Sequence, residues 1–195
     1  MGVRRFEEPV FDRMAPLVAA LTGEPLPYLD RPFAFFGHSM GAIVIFEVAR
    51  RLRRAGLVSP RHLFVSGCRA PHVHDPRRPM HDLNDVELIE ELRRMNGVPA
   101  EVLADARLMD LIVPAMRADL SVSETYSYSA EPALSCPITA FGGLSDPKVL
   151  IEEMTPWRDQ TSVAFALHML PGDHFFLNQA EAVGELFRTI SQTLT

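Results

Sequence analysis

Cysteine is nearly absent: Cys68 and Cys136 are the two in 195 residues. They form no disulfide framework and show no C-x-x-C spacing, which excludes a disulfide-stapled secreted domain and a cysteine-ligated zinc module. Both are expected to be small buried residues in a reducing cytoplasm. A basic excess is missing too, since 19 Lys+Arg face 25 Asp+Glu for a net charge of −6. Nucleic acid is therefore not an expected partner, because phosphate backbones need a basic face. No apolar run is long enough, or free enough of His and Gly, to cross a bilayer, and no leader-like start is visible. The expectation is a soluble cytoplasmic protein without a membrane partner. Repeats and low-complexity tracts are also lacking. What is present is 47% apolar and 23% charged residues, enough for one core in one domain spanning residues 1–195.

Hydrophobic periodicity gives the order of elements. Phe11, Met14, Leu17, Val18 and Leu21 recur at helical spacing over residues 6–21. Phe33-Ala34-Phe35-Phe36 is a continuous apolar run ending at Gly37, as expected of a strand buried on both faces of a parallel sheet. A helix from Gly41 to Arg54 follows, apolar almost all round, with arginines in its last turns and Gly56 behind it. Cations complement the negative end of the helix dipole and glycine permits a left-handed cap, so this basic cluster is read as structural rather than as a binding patch. Three further strand-like runs are His62–Gly67, Pro137–Gly142 and Ser162–Leu167. A last helix carries Val183, Leu186, Phe187, Ile190 and Leu194 on one face. Strands alternating with helices indicate an α/β fold with a parallel sheet. A long insert at about residues 72–131, with an Asn84–Glu87 capping pair and two helical patterns, is expected to form a helical lid. Its Met95, Met109 and Met116 are expected to pack rather than line a pocket.

The sharpest chemical signal is Gly37-His38-Ser39-Met40-Gly41, a G-x-S-x-G pentapeptide where a strand turns into a helix. Such a turn lifts a serine hydroxyl above the sheet, and small residues at Gly37 and Gly41 suit the close approach of strand and helix. The helix N-terminus behind Ser39 favours negative charge developing on a tetrahedral intermediate. A serine needs a base, and the base needs an orienting acid. The chain order Ser…Asp…His selects Asp146 and His174, each in a loop after a strand. His38 lies on the turn itself, His62 at the wrong end of a strand and His168 in or at the end of one. Asp173 is a rival orienter of His174. His72, His74 and His81 have suggestive spacing but no further ligands, so no metal and no cofactor are expected.

These residues resemble the type II thioesterases that accompany polyketide and nonribosomal peptide synthetases. The likeness runs from about Arg5 onward, through Asp30–Ala42, the Asp119–Tyr126 segment with its Glu124-Thr125-Tyr126, and the Asp146 and His174 loops. It implies an α/β-hydrolase fold and hydrolysis of acyl groups from the phosphopantetheine arm of an acyl or peptidyl carrier protein. Ser39 would be the nucleophile, His174 the base, Asp146 the orienting acid and the Met40 N–H an oxyanion donor. Leu144-Ser145 and Asp173 depart mildly from the family's usual residues. The resemblance also implies preceding strands, and a loop supplying a second oxyanion N–H, of which the sequence shows no equivalent. The expectation is an N-terminally truncated sheet with Phe33–Phe36 at its edge. Losing one oxyanion donor would cost on the order of 100- to 1000-fold in rate. Two alternatives stay open: malonyl-transferase-like acyl transfer from the same elbow, and a carrier-binding remnant with impaired catalysis.

Overall fold

The computed structural model describes residues 10–23, 29–95 and 97–195. In chain order its elements are α1 (Met14–Gly23), β1 (Phe35–His38), α2 (Met40–Arg54), β2 (Leu63–Ser66), α3 (Asp85–Arg94), α4 (Ala100–Leu103) and α5 (Ala106–Glu124). They continue with β3 (Ile138–Gly143), α6 (Ile151–Met154), β4 (Phe165–Leu170) and α7 (Ala180–Leu194), with short 3-10 turns at Thr155–Gln160 and Phe176–Asn178. The strands form one parallel sheet in the order β1-β2-β3-β4. Parallel neighbours put all strand C-termini along one rim, so the loops after β1, β3 and β4 open on the same side. No helix of the described residues is long and apolar enough to cross a membrane.

The strands are offset from the apolar runs that mark them. β1 starts at Phe35 rather than Phe33, because the ladder begins where the Phe35 N–H reaches the His62 carbonyl and Phe35 pairs with Leu63. Burial on both faces is not met: Phe36 is 41% exposed, since β1 lies at the end of the strand order and only Gly37 in it is fully buried. β4 begins at Phe165 rather than Ser162. The Ser162 N–H and the Thr161 hydroxyl are committed to the Leu134 and Cys136 carbonyls, so the chain turns there before it pairs with β3. α1 begins at Met14, not in the preceding turns. Pro16 lacks an N–H and suits the first turn of a helix, where that donor has no intrahelical partner, in keeping with a start at Met14. Residues 6–9 of the expected helix lie outside the described ones. α7 buries Ala182 and Leu186 while Phe187 is exposed, so the core-facing stripe is turned from the expected face.

The compact unit holding the sheet comprises Val18–Arg77 and Ser127–Thr195. Its core joins Phe64, Phe141, Leu170 and Phe176 to Ala182 and Leu186 of α7. α2 ends as expected, with Gly56 at φ 68°. Three of its four arginines are occupied: Arg50, Arg53 and Arg54 all reach Glu131, and Arg50 also pairs with Glu47 and lies over the Phe46 and Tyr128 rings. The other unit comprises Arg78–Tyr126 together with the segment ending at Leu17. There Asn84 and Glu87 form the expected capping box of α3. Leu83, Leu88, Leu92, Val98, Met109 and Val113 form its core, with Met95 and Met116 packed against it. A cavity of about 500 Å³ within this unit is lined by Arg13, His81, Asp85, Met109 and Arg117, among others, so Met109 both packs and lines.

Candidate active site

The turn from β1 to α2 carries the first component. Ser39 has φ 53° and ψ −123°, and it is the one non-glycine residue with positive φ among those described. Its backbone N–H donates to the Ser66 carbonyl at 2.8 Å, which ties the turn to the end of β2. Gly37 is required there: a Cβ would run into the Gly41 carbonyl and come within 2.8 Å of the Ala42 nitrogen. Gly41 is different from expectation. A Cβ on it would meet nothing within 4 Å among the described residues, so the close approach is of Gly37 to the Gly41 backbone and not the reverse.

The sheet rim brings in the other two. His174, in the loop after β4, has Nε2 3.1 Å from Ser39 Oγ and Nδ1 2.8 Å from Asp146 Oδ2. The Asp146 carboxylate, in the loop after β3, also accepts the backbone N–H groups of Lys148 at 2.7 Å and Val149 at 3.2 Å. Asp146 and His174 are both buried. Burial pushes the Asp146 pKa up, but the His174 hydrogen bond and charge and the two amides outweigh it and hold the carboxylate below its ordinary value. Asp173 does not compete for His174: its Oδ1 accepts the Phe175 N–H at 2.8 Å and closes its own turn. Gly143 lets the two loops meet, since a Cβ there would collide with the Asp173 carbonyl and stand 2.7 Å from that of Gly172.

Met40 is the first residue of α2, where backbone N–H groups lack an intrahelical acceptor four residues back. His38 hydrogen-bonds through Nδ1 to Ser66 Oγ at 2.9 Å. His62 bonds to Thr139, His72 to Gln160 and His81 to Glu124, so these rings are dispersed. No group of three or more His, Cys, Asp or Glu among the described residues could hold a metal. Ser66 escaped the sequence reading. A serine at a strand end carries no signal of its own, yet here its carbonyl and hydroxyl hold both Ser39 and His38.

The profile of the thioesterase domain family matches residues 2–194. The chain belongs to that family. It is 43% identical over 193 residues to LgrE of Brevibacillus parabrevis, named a linear gramicidin dehydrogenase, covering 97% of this chain and 73% of LgrE. Among solved structures, the RedJ thioesterase of the prodiginine pathway in Streptomyces coelicolor superposes with a TM-score of 0.89 at 40% identity. That match covers 98% of this chain and 75% of RedJ. YbtT, a type II thioesterase of the yersiniabactin NRPS/PKS pathway, gives 0.81 at 33% identity over 93% of this chain and 74% of its own. The chain spans between 48% and 64% of three more curated relatives. The thioesterase likeness and the α/β-hydrolase fold read from the sequence both hold.

Proposed function

We propose that this thioesterase-family chain hydrolyses acyl thioesters on the phosphopantetheine arm of acyl or peptidyl carrier proteins, as a type II editing enzyme, through Ser39, His174 and Asp146. The observation that carries the reading is the relay from Ser39 Oγ through His174 to Asp146 at 3.1 and 2.8 Å, built on a left-handed serine at a strand–helix turn. Ser39 Oγ attacks the thioester carbonyl while His174 Nε2 takes its proton, and the Met40 N–H and the positive end of α2 stabilise the oxyanion. Collapse breaks the C–S bond, and His174 returns the proton to the departing pantetheine thiolate. Water then attacks the acyl-Ser39 ester by the same route and releases the acid. Asp146 stays ionised and holds the His174 tautomer that offers Nε2 to Ser39. The helical insertion of residues 72–131 acts in this scheme as a lid.

Malonyl-transferase-like transfer is not favoured, since membership of the thioesterase family covers nearly the whole chain. The test is hydrolysis of a short acyl thioester, then of an acylated carrier protein, by the chain and two variants. Ser39→Ala is expected to end turnover and labelling by a fluorophosphonate. Asp146→Asn is expected to lower kcat by about 10³–10⁴-fold with KM little changed. Full activity in either variant refutes the assignment, and carrier binding without turnover at any enzyme concentration supports the remnant instead.

A further inference from the structure

His38 stands beside Ser39 in sequence but belongs to a different set of contacts. Its ring lies with its centroid 5.2 Å from that of His174 and 5.6 Å from that of Phe176, the latter edge-on. Nδ1 is fixed to Ser66 Oγ at 2.9 Å, and Ser66 is fully buried. Nε2 is buried beside the His174 backbone and makes no hydrogen bond of ordinary geometry among the described residues. On the remaining side is Gly67, in the left-handed region at φ 56°, where a Cβ would stand 2.6 Å from the imidazole Cε1. The backbone therefore forgoes a side chain at Gly67 to seat this ring. A ring so confined is fixed against its neighbours, and the one of them that belongs to the relay is His174.

We propose that His38 is a positioning residue for His174: seated on Ser66 and Gly67, its imidazole forms the wall that keeps the His174 ring turned between Ser39 and Asp146. This rests on the serine-hydrolase reading above. His174 is tethered at Cβ and held at its two nitrogens by Ser39 and Asp146, so the motion to be guarded against is the ring flip about Cβ–Cγ that breaks both hydrogen bonds. The His38 ring packed against it, together with Phe175 edge-on, stands in the way of that flip. The wall has to stay uncharged while His174 gains a proton in each half-reaction. His38 does so because burial, then the nearby His174 charge, lowers its pKa to about 4, against smaller raising effects of Asp146 and the His174 backbone. The titratable groups facing it are thus His174 and Asp146. Ser66, by clamping both the Ser39 amide and the His38 ring, couples the wall to the nucleophile.

The experiment uses the full chain with His38→Asn, which drops the ring but can keep the Ser66 hydrogen bond, and His38→Phe, which keeps a ring but loses that bond. Active sites are counted by fluorophosphonate labelling of Ser39, so that rates are per competent molecule. Expected for His38→Asn is a fall of about 10- to 100-fold in kcat with KM within about twofold, with His38→Phe recovering most of it. The pH profile of kcat should move in the Asn variant and not in the Phe variant. In parallel, NMR of the His174 ring should show one ring environment in the wild-type and Phe chains and added or broadened resonances in the Asn chain. Unchanged per-site kcat and an unchanged His174 spectrum in His38→Asn overturn the proposal, as does equal loss in both variants. Should the wild-type chain neither turn over nor label at Ser39, the hydrolase reading fails, and the His174 spectra still decide whether His38 positions that ring.

Discussion

Ser39 is held where an L-residue is strained, at φ 53°. Residues kept in such regions cost of order 1–3 kcal/mol, which the surrounding structure has to supply. Here the Ser66 carbonyl on the Ser39 amide and the Gly37–Gly41 contact fix the turn. Since Ala and Gly both lack the hydroxyl, comparing Ser39→Ala with Ser39→Gly isolates the backbone strain. Ser39→Gly should be more stable than Ser39→Ala by about 1 kcal/mol in urea unfolding, with both inactive. Charge provides a second prediction at this scale. Asp75 is partly buried, which raises its pKa, but hydrogen bonds from Arg77 and the charges of Arg69 and Arg77 lower it to about 2. A carboxylate whose pKa falls on folding adds stability above its unfolded value, about 4, and that stability fades as pH drops through the folded value. Asp75→Asn should therefore weaken the chain at pH 6–7, with the difference shrinking between about pH 4 and pH 2. Because the pair is well exposed, the effect at neutral pH should be small. Ser39, Asp146 and His174 were each legible from type and order. Ser66 was not, because its role lies in contacts from β2 to β1 that no local pattern encodes.

Strand and helix meet at the elbow through one glycine rather than two. Gly37→Ala would drive a Cβ into the Gly41 carbonyl, so it should lower Tm sharply and abolish labelling of Ser39. Gly41 lies in the first turn of α2 with open space at its Cβ position. Gly41→Ala should leave the fold intact and raise stability by up to about 1 kcal/mol through helix propensity, measured by thermal melting. The symmetry of the G-x-S-x-G motif hid this difference, because only backbone geometry says which glycine approaches which. Elsewhere the local signals carried well. The Asn84–Glu87 box starts α3, and Gly56 ends α2 in the left-handed region, since both depend on residues a few positions apart. Strand limits did not carry: β1 and β4 start two and three residues late because ladder partners and turn hydrogen bonds, not apolar content, set where pairing begins.

Across the whole molecule the chain divides into a sheet-bearing unit and a helical unit, each with its own core. Within the first, β1 stands at one end of the strand order with Phe36 41% exposed. An apolar side chain on the end strand of the described sheet favours association. Phe36→Lys is expected to scatter less light than the unaltered chain at equal concentration, without loss of Ser39 labelling; equal scattering by the two chains refutes this. By itself the sequence determined the α/β class, the order of elements, the family, and the three residues of the candidate relay. The class and the order of elements follow from periodicity and turn chemistry, the family from the resemblance of whole segments, and the three residues from the chemical scarcity of groups able to act as nucleophile, acid and base in that chain order. Only the tertiary structure decided that the Ser66 carbonyl and hydroxyl hold Ser39 and His38, that Glu131 gathers Arg50, Arg53 and Arg54 of α2, and that His38 faces His174 across the rim. The reason is that each of these is a contact between segments far apart in the chain. Parallel strand pairing fixes such contacts, and their spacing in sequence carries no trace of them.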